Sequence, residues 1–345
     1  MCAEASVEGK RYFDEMLLFG DSCWDDWLQR TDQVRDKVAQ HLGASKEEIA
    51  FAPNTSMAMG MIAHLLKDSG EVLTMEDEFP SSTLPWLNLG FALDYVASEQ
   101  GICSVGAIGK ALRPEHRILV ISYVQYKTGF RQDLAETASF CKSANLKLVV
   151  NATQAMGIFP LDVRENGIDF LVFSGLKWAC AGYGAAGLYI SNPYLQDALP
   201  LAGWRSVQSP ENMNNHLLRL KPEASVLEAG SPAFPAIFAL GGALDLLSRI
   251  GREACMNRVL HLSRILENKL RENGFPVLYS FPEEHRSGII MLKTGNARTL
   301  VSELSRKNIL VSARGDGLRI SVNIYNNEED IERLIEALQE YRTMI

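Results

Sequence analysis

The sequence predicts an α/β fold: a mostly parallel sheet covered by helices on both faces, then a smaller α+β domain at the carboxyl end. Three observations predict it. Short apolar runs alternate with longer segments of helical periodicity through the first 250 residues. Several of those runs, Ile168-Asp169-Phe170-Leu171-Val172-Phe173 among them, are apolar almost throughout, as strands covered on both faces are. Beyond residue 275 the texture changes to closely spaced short strands and two helices.

In order, residues 25–42 read as an amphipathic helix ending near Gly43, and 47–51 as a short strand entering Ala52-Pro53-Asn54-Thr55-Ser56. Met57, Ala58, Met61, Ile62, Leu65 and Leu66 then recur at helical spacing. Residues 71–75 read as a strand and 80–86 as the opening of a helix. A buried strand over 117–123, a helix over 133–144, and strands over 146–150, 168–173 and 186–190 follow. Residues 235–250 form a long helix leading out of this domain, with Gly251 near its end. In the remainder, 276–281, 287–293, 309–313 and 317–321 read as strands, and 297–307 and 327–344 as helices. The last helix carries Ile331, Leu334, Ile335 and Leu338 on one face, and Asn326 with Glu329 forms a capping pair at its start. The expected division is a large domain over 20–245 and a small one made of 1–19 and 246–345.

Composition bounds the function. The 345 residues are 47% hydrophobic and 22% charged, enough for two cores. A net charge of -8 argues against a nucleic-acid or anionic-membrane surface. The six cysteines (Cys2, Cys23, Cys103, Cys141, Cys180, Cys255) lack CxxC spacing and read as thiols of a reducing compartment, with no metal site. Residues 1–10 have no apolar signal core, and no stretch is long and apolar enough to span a bilayer, so a cytoplasmic protein is expected.

Lys177 is the most informative residue. It sits in Ser174-Gly175-Leu176-Lys177-Trp178, straight after a buried strand and before the small, Gly-rich stretch 179–187. A charge loses hydration there, which lowers the amine pKa and frees a nucleophile. Carbonyl chemistry is the natural use, and pyridoxal phosphate the commonest carbonyl cofactor held this way. The window fits equally a lysine that snorkels out of a strand end.

Other segments supply what a phosphorylated pyridine aldehyde needs. Asn54-Thr55-Ser56 before a helix offers backbone N–H groups and hydroxyls to a phosphate, although alone it reads first as a plain N-cap. Phe79, in Glu78-Phe79-Pro80-Ser81-Ser82, can stack on a ring; in isolation it reads as core. Gln154, past the strand 146–150, can donate to a phenolic oxygen, and Ser174 adds a hydroxyl for the phosphate. Such groups converge at the carboxyl edge of an open α/β sheet.

These motifs resemble the class V aminotransferase family of fold-type I pyridoxal-phosphate enzymes, which includes cysteine desulfurases, kynureninases and isopenicillin N epimerase-like proteins. The likeness runs from about Val34 to Leu338. Residues 49–56 resemble the family's phosphate loop, Glu78-Phe79-Pro80-Ser81 its ring-stacking segment, Asn151-Ala152-Thr153-Gln154 its Asp-x-x-Gln segment continued by Pro160-Leu161-Asp162-Val163, and Ser174 to Trp178 its Ser-x-His-Lys-Trp segment. The resemblance implies a three-layer fold-type I architecture, Lys177 as the Schiff-base lysine, and a homodimer in which Ser231, within Glu228-Ala229-Gly230-Ser231-Pro232, reaches the phosphate of the partner subunit. Leu318-Arg319-Ile320-Ser321 with Tyr325-Asn326 resembles the carboxylate-binding motif, with Arg319 as a bidentate fork for an amino-acid substrate. Arg131 and Arg314 are further candidates.

The sequence departs from that pattern in four places. Asn151 stands where the family has the Asp that keeps the pyridine nitrogen protonated; an amide can only donate a hydrogen bond there. Leu176 replaces a histidine. The stretch from Ile309 to Arg319 contains no cysteine, so the mobile thiol of a cysteine desulfurase is missing. The segment that precedes the helix 25–42 is short for the family. The expectation is a pyridoxal-phosphate enzyme of the aminotransferase type acting on a small amino acid; an epimerase, a lyase, or a cofactor-binding protein with little turnover are the alternatives that Asn151 raises.

Overall fold

The computed structural model describes residues 1–195, 201–315 and 317–345. Its elements, in chain order, begin with α1 (Ala3–Phe19), α2 (Trp24–Leu42), β1 (Ile49–Ala52), α3 (Thr55–Leu65), β2 (Glu71–Met75), α4 (Pro80–Asn88) and β3 (Leu93–Val96). They continue with α5 (Val105–Ala111), β4 (His116–Ser122), α6 (Leu134–Ala144), β5 (Lys147–Asn151), β6 (Phe170–Ser174) and β7 (Ala186–Ile190). The carboxyl-terminal part holds α7 (Phe234–Ile250), α8 (Arg252–Glu272), β8 (Ile289–Lys293), α9 (Ala297–Arg306), β9 (Ser312–Arg314), β10 (Gly317–Ser321) and α10 (Glu328–Glu340).

Seven strands form the main sheet in the order β1-β7-β6-β5-β4-β2-β3. Pairing is parallel from β3 through β6, while β7 runs against both β6 and β1. The continuous apolar runs follow from burial on both faces. Leu119, Ile121, Leu148, Val150, Leu171 and Phe173 pack toward α2 and α7. Their neighbours Ile118, Val120, Val149, Phe170 and Val172 pack toward Met59 and Ile62 of α3 and Trp86 of α4. A third core lies between α8, α9, α10 and the antiparallel sheet β8-β10-β9. Helix α8 joins two cores: Cys255 and Val259 face the large one, Leu262, Leu266 and Leu270 the small one.

Several elements differ from their sequence-based expectation. Residues 276–281 form no strand; only Val277 bridges to Leu292, because Pro276 and Pro282 bound the segment. The strand expected over 309–313 is confined to β9, since Asn308 takes φ +60° and Ile309 N–H turns back to Leu304 O. The cap of α10 is Asn327 with Asp330, not Asn326 with Glu329; Asn326 Oδ1 is occupied by Asn323 N–H. Helices α1, α5 and α8 and strand β3 are additional. Helix α1 packs along α7, on the large sheet's helical layer, with Ala5 fully buried. No single described helix is long and apolar enough to cross a membrane.

One buried ion pair ties the site's first segment down. Arg35 of α2 grips Glu228 with Nη1–Oε1 at 2.5 Å and Nη2–Oε2 at 3.0 Å. Arg35 Nη1 also donates to Ile49 O, and Phe51 N–H to Glu228 Oε1. Both ends of β1 and residues 224–231 are thereby set relative to α2. Removing Glu228 leaves buried Arg35 only the exposed Asp32, 3.3 Å from its Nε, as counter-charge. Glu228→Gln is expected to cost roughly 3–5 kcal/mol and lower the thermal midpoint, while Arg35→Met with Glu228→Leu recovers most of the loss. Equal midpoints for the native protein and Glu228→Gln would show that the pair contributes nothing.

Candidate active site

The carboxyl ends of five strands deliver the site, because each strand runs out into a turn there. β1 leads to Asn54–Ser56, β2 to Phe79, β4 to Ser122 and Tyr126, β5 to Asn151–Gln154, and β6 to Ser174–Lys177. Side chains from all five line a cavity of about 190 Å³: Asn54, Thr55, Ser56, Phe79, Asn151, Gln154, Ser174 and Lys177 from the sequence-based set, with Ser81, Ser122, Tyr126, Thr153 and Leu176.

One end of the cavity is a hydroxyl-rich helix start. Asn54 Oδ1 accepts Met57 N–H at 3.0 Å, so its side chain is the N-cap of α3, the plainer of its two readings. Thr55 and Thr153 hydroxyls lie 3.2 Å apart, and Ser56 and Ser81 hydroxyls 2.8 Å apart. Ser174 Oγ accepts the Leu176 N–H. Helix dipole and hydroxyls together favour an anion.

The flat wall is Phe79, 40% exposed to the cavity side, with Tyr126 edge-on to it at 5.2 Å. Asn151 is locked on the cavity wall. Its Oδ1 accepts Thr153 N–H at 3.0 Å and its Nδ2 donates to Ser82 Oγ at 2.9 Å. A backbone N–H can only donate, so the amide orientation is fixed, with the NH2 as the remaining polar edge. Beneath it Glu78 accepts from Ser122 N–H, Ser122 Oγ and Gln125 Nε2. Burial pushes the Glu78 carboxyl up, against the pull of those donors and of Ser82.

Gln154 Oε1 takes the Trp178 indole N–H at 2.8 Å, leaving Gln154 Nε2 buried with no partner among the described residues. An orphaned buried donor is costly unless a ligand meets it. An anion cradle, a flat aromatic wall, this donor and a desolvated amine fit a phosphorylated pyridine aldehyde with a phenolic oxygen.

Lys177 Nζ lies 5.4 Å from the Phe79 ring centroid. Burial lowers its pKa to about 8, helped by the nearby cations Arg319 and Arg314. Arg319 Nη1 donates to Tyr126 O at 2.9 Å, which brings β10 against the cavity wall, and Arg319 Nε is buried without a partner among the described residues. Burial and then Arg314 lower Arg319 to about 10. Gly129, with φ +82°, lets the turn after Tyr126 approach β8; a Cβ there would meet Ile289 O at 2.5 Å.

Two sequence-based candidates fall elsewhere. Arg131 donates to Arg286 O and Glu283 O and lies over Phe159, a packing role. Ser231 lines a separate cavity of about 250 Å³ with Pro53, Met57 and Glu228, and does not meet Lys177 within one chain. Tyr126 and Ser122 were missed; their signal is their place at or just past the end of the strand 117–123, where ligand-facing residues gather.

The family model for aminotransferase class-V matches residues 25–334. The chain is 24% identical over 332 residues to an uncharacterized aminotransferase, YcbU, of Bacillus subtilis, covering 95% of this chain and 88% of that one. It is 25% identical to a probable cysteine desulfurase of Methanothermobacter thermautotrophicus (92% and 84% covered) and 23% identical to a kynureninase of Bacillus cereus (94% and 82%). Among solved structures, the apo cysteine desulfurase of Thermococcus onnurineus aligns with a TM-score of 0.88 at 20% identity, covering 99% and 94% of the two chains. The cystine C-S lyase C-DES, in complex with its product cysteine persulfide, aligns at 0.89 and 20%, covering 98% and 94%.

A lysine with a pKa near 8 reacts with aldehydes only as its neutral fraction grows. Attachment of pyridoxal phosphate to the cofactor-free protein is expected to quicken as pH rises, with a midpoint near 8. Arg319→Gln removes a like charge, so the midpoint moves upward. Stopped-flow rates against pH check both; a midpoint near the ordinary lysine value, about 10.4, would refute the environment described.

Proposed function

The chain belongs to the class V aminotransferase family, and on that premise we propose that it is a pyridoxal-phosphate enzyme of the aminotransferase type acting on a small amino acid. The observation that carries the reading is Lys177, a depressed amine opening onto a cavity whose walls match each part of the cofactor.

Thr55, Ser56, Ser174 and the start of α3 would hold the phosphate, Phe79 would stack on the ring, Gln154 Nε2 would meet the phenolic oxygen and Asn151 the ring nitrogen. When bound, the cofactor supplies an electron sink for a substrate Cα carbanion. Lys177 would hold the cofactor through its Nζ, and the same amine, when free, would move a proton at the substrate Cα. Arg319 orients the substrate carboxylate through its unpartnered Nε edge, with Nη1 held by Tyr126. Phe79, Tyr126 and Leu176 keep water off that face. A homodimer is part of the proposal, with Ser231 of each subunit turned toward the other's phosphate end.

Asn151 favours a second reading, an epimerase or lyase. Its fixed amide offers N–H to the ring nitrogen and no charge to protonate it.

Borohydride treatment of the loaded protein is expected to leave pyridoxyl mass on the peptide containing Lys177, and Lys177→Ala to abolish the adduct. Label on a different lysine would overturn the assignment. Asn151→Asp returns a negative charge, raising the pyridine nitrogen's pKa by about one unit or more, roughly 1.4 kcal/mol per unit. Faster Cα deuterium exchange with an amino-acid substrate is expected from the variant. Slower exchange would mean a natural reaction tuned to a neutral ring, and the second reading would replace the first.

A further inference from the structure

Strands β9 and β10 bring a second guanidinium to the site. Arg314 pairs with Gly317, and Ser312 with Arg319. Directly opposed residues of an antiparallel pair point to the same side, and Gly317 and Arg319, two apart, share a face. Arg314 and Arg319 therefore lie on one face of the small sheet, separated by a position without a side chain. Arg319 fixes where that face points, since its Nη1 reaches Tyr126 O at the cavity wall. The turn that follows Arg314 rests there too: a Cβ on Gly315 would lie 3.3 Å from Lys127 Cε, one residue beyond Tyr126.

Among the described residues this cation cluster has no carboxylate partner: none of Lys177, Arg314 and Arg319 pairs with one, and Arg314 Nη1 donates only to the adjacent Ala313 O. The nearby acid Asp77 is taken by Lys127 Nζ at 2.5 Å and by Ser98 Oγ. One substrate carboxylate on Arg319 leaves Arg314 unmet. The fields of both arginines are felt at Lys177.

We propose that Arg314 anchors a second anionic group on the substrate, so that the site takes an amino acid bearing a side-chain carboxylate in preference to an uncharged one. The inference rests on the proposed function and narrows its substrate class. The α-carboxylate takes the Arg319 fork while the side-chain anion takes Arg314, with Cα between them beside Lys177. A planar guanidinium suits a carboxylate better than a point charge does.

The test compares matched acid and amide ligands on the cofactor-loaded protein: succinate against succinamate by calorimetry, and L-aspartate against L-asparagine by the change in the cofactor's visible band. Native protein is expected to favour the acid of each pair by about tenfold or more, the equivalent of about 1.4 kcal/mol. Arg314→Gln brings each ratio close to one, and Arg314→Lys restores part of it by returning the charge. A native ratio near one overturns the proposal. So does a ratio that survives in Arg314→Gln, including the case where both ligands weaken together, as a folding defect would produce. Discrimination between succinate and succinamate with no amino acid altering the band would instead sink the Lys177 chemistry and leave the anion pair standing. A band that responds to neutral amino acids and acids alike would do the reverse.

Discussion

Positive charge held at the carboxyl edge of the sheet, without a carboxylate partner among the described residues, governs the rest of the site. Lys177 follows β6, whose residues 170–173 are buried on both faces, and it is lowered to about 8 by that burial and by two arginines. Such an arrangement is unfavourable for the free protein, because desolvated cations that repel one another gain nothing from folding. It becomes favourable when anions and a carbonyl carbon arrive. The helix start of α3, the orphaned Gln154 Nε2 and the orphaned Arg319 Nε are the same kind of feature. Each is a polar group prepared for a partner the chain does not supply.

The rigidity of the opposite end comes from a chain of hydrogen bonds that runs across three strand ends. Thr153 N–H fixes Asn151, Asn151 fixes Ser82, and Ser82 adds to the donors on buried Glu78. Glu78 in turn holds the end of β4 through Ser122. The Asn151 amide, proposed to meet the ring nitrogen, is thus part of a network that would have to be rebuilt for it to turn over. A neutral contact at this position is structural as well as chemical, which makes Asn151 a built feature and not a loose substitution.

Much of this was legible in the sequence where one physical signal was enough. Strands β2, β7 and β10 match their expected limits, since apolar runs bounded by polar turns mark both ends. The presence of Lys177 and Phe79 at the cavity and the N-cap at Asn54 followed from their places beside such strands. What was missed lacks a local signal. Helix α1 begins at Cys2 with no side-chain cap, and its burial depends on α7, more than 200 residues later. Strand β3 is only four residues long and largely unburied, with Asp94 breaking its apolar run. Helix α8 carries its apolar stripe at proper spacing, but directly after Gly251 the sequence gives no capping residue to announce it. The partners of Arg131 and the turn of Tyr126 toward Arg319 are tertiary facts that no window contains.

The residues that separate one activity from another should therefore lie where the cores stop. Scaffold positions are constrained by packing on two faces of the sheet, whereas the cavity rim is free to vary. On this chain the rim departs from its family in concert. Asn151 removes charge at the ring nitrogen and Leu176 removes a polar neighbour of Lys177. The segment leading into β10 has no thiol, and the one cysteine close to Lys177 in sequence, Cys180, gives its Sγ–H to Trp178 O with burial raising its pKa. A thiol in that state is a poor nucleophile. Sulfur transfer to the protein is thus disfavoured on two independent grounds, while Arg314 and Arg319 share one face of the small sheet. On the proposed function, a site with two arginines on one sheet face and a buried Cys180 thiol would select substrates by charge and leave the bond-breaking proton to Lys177.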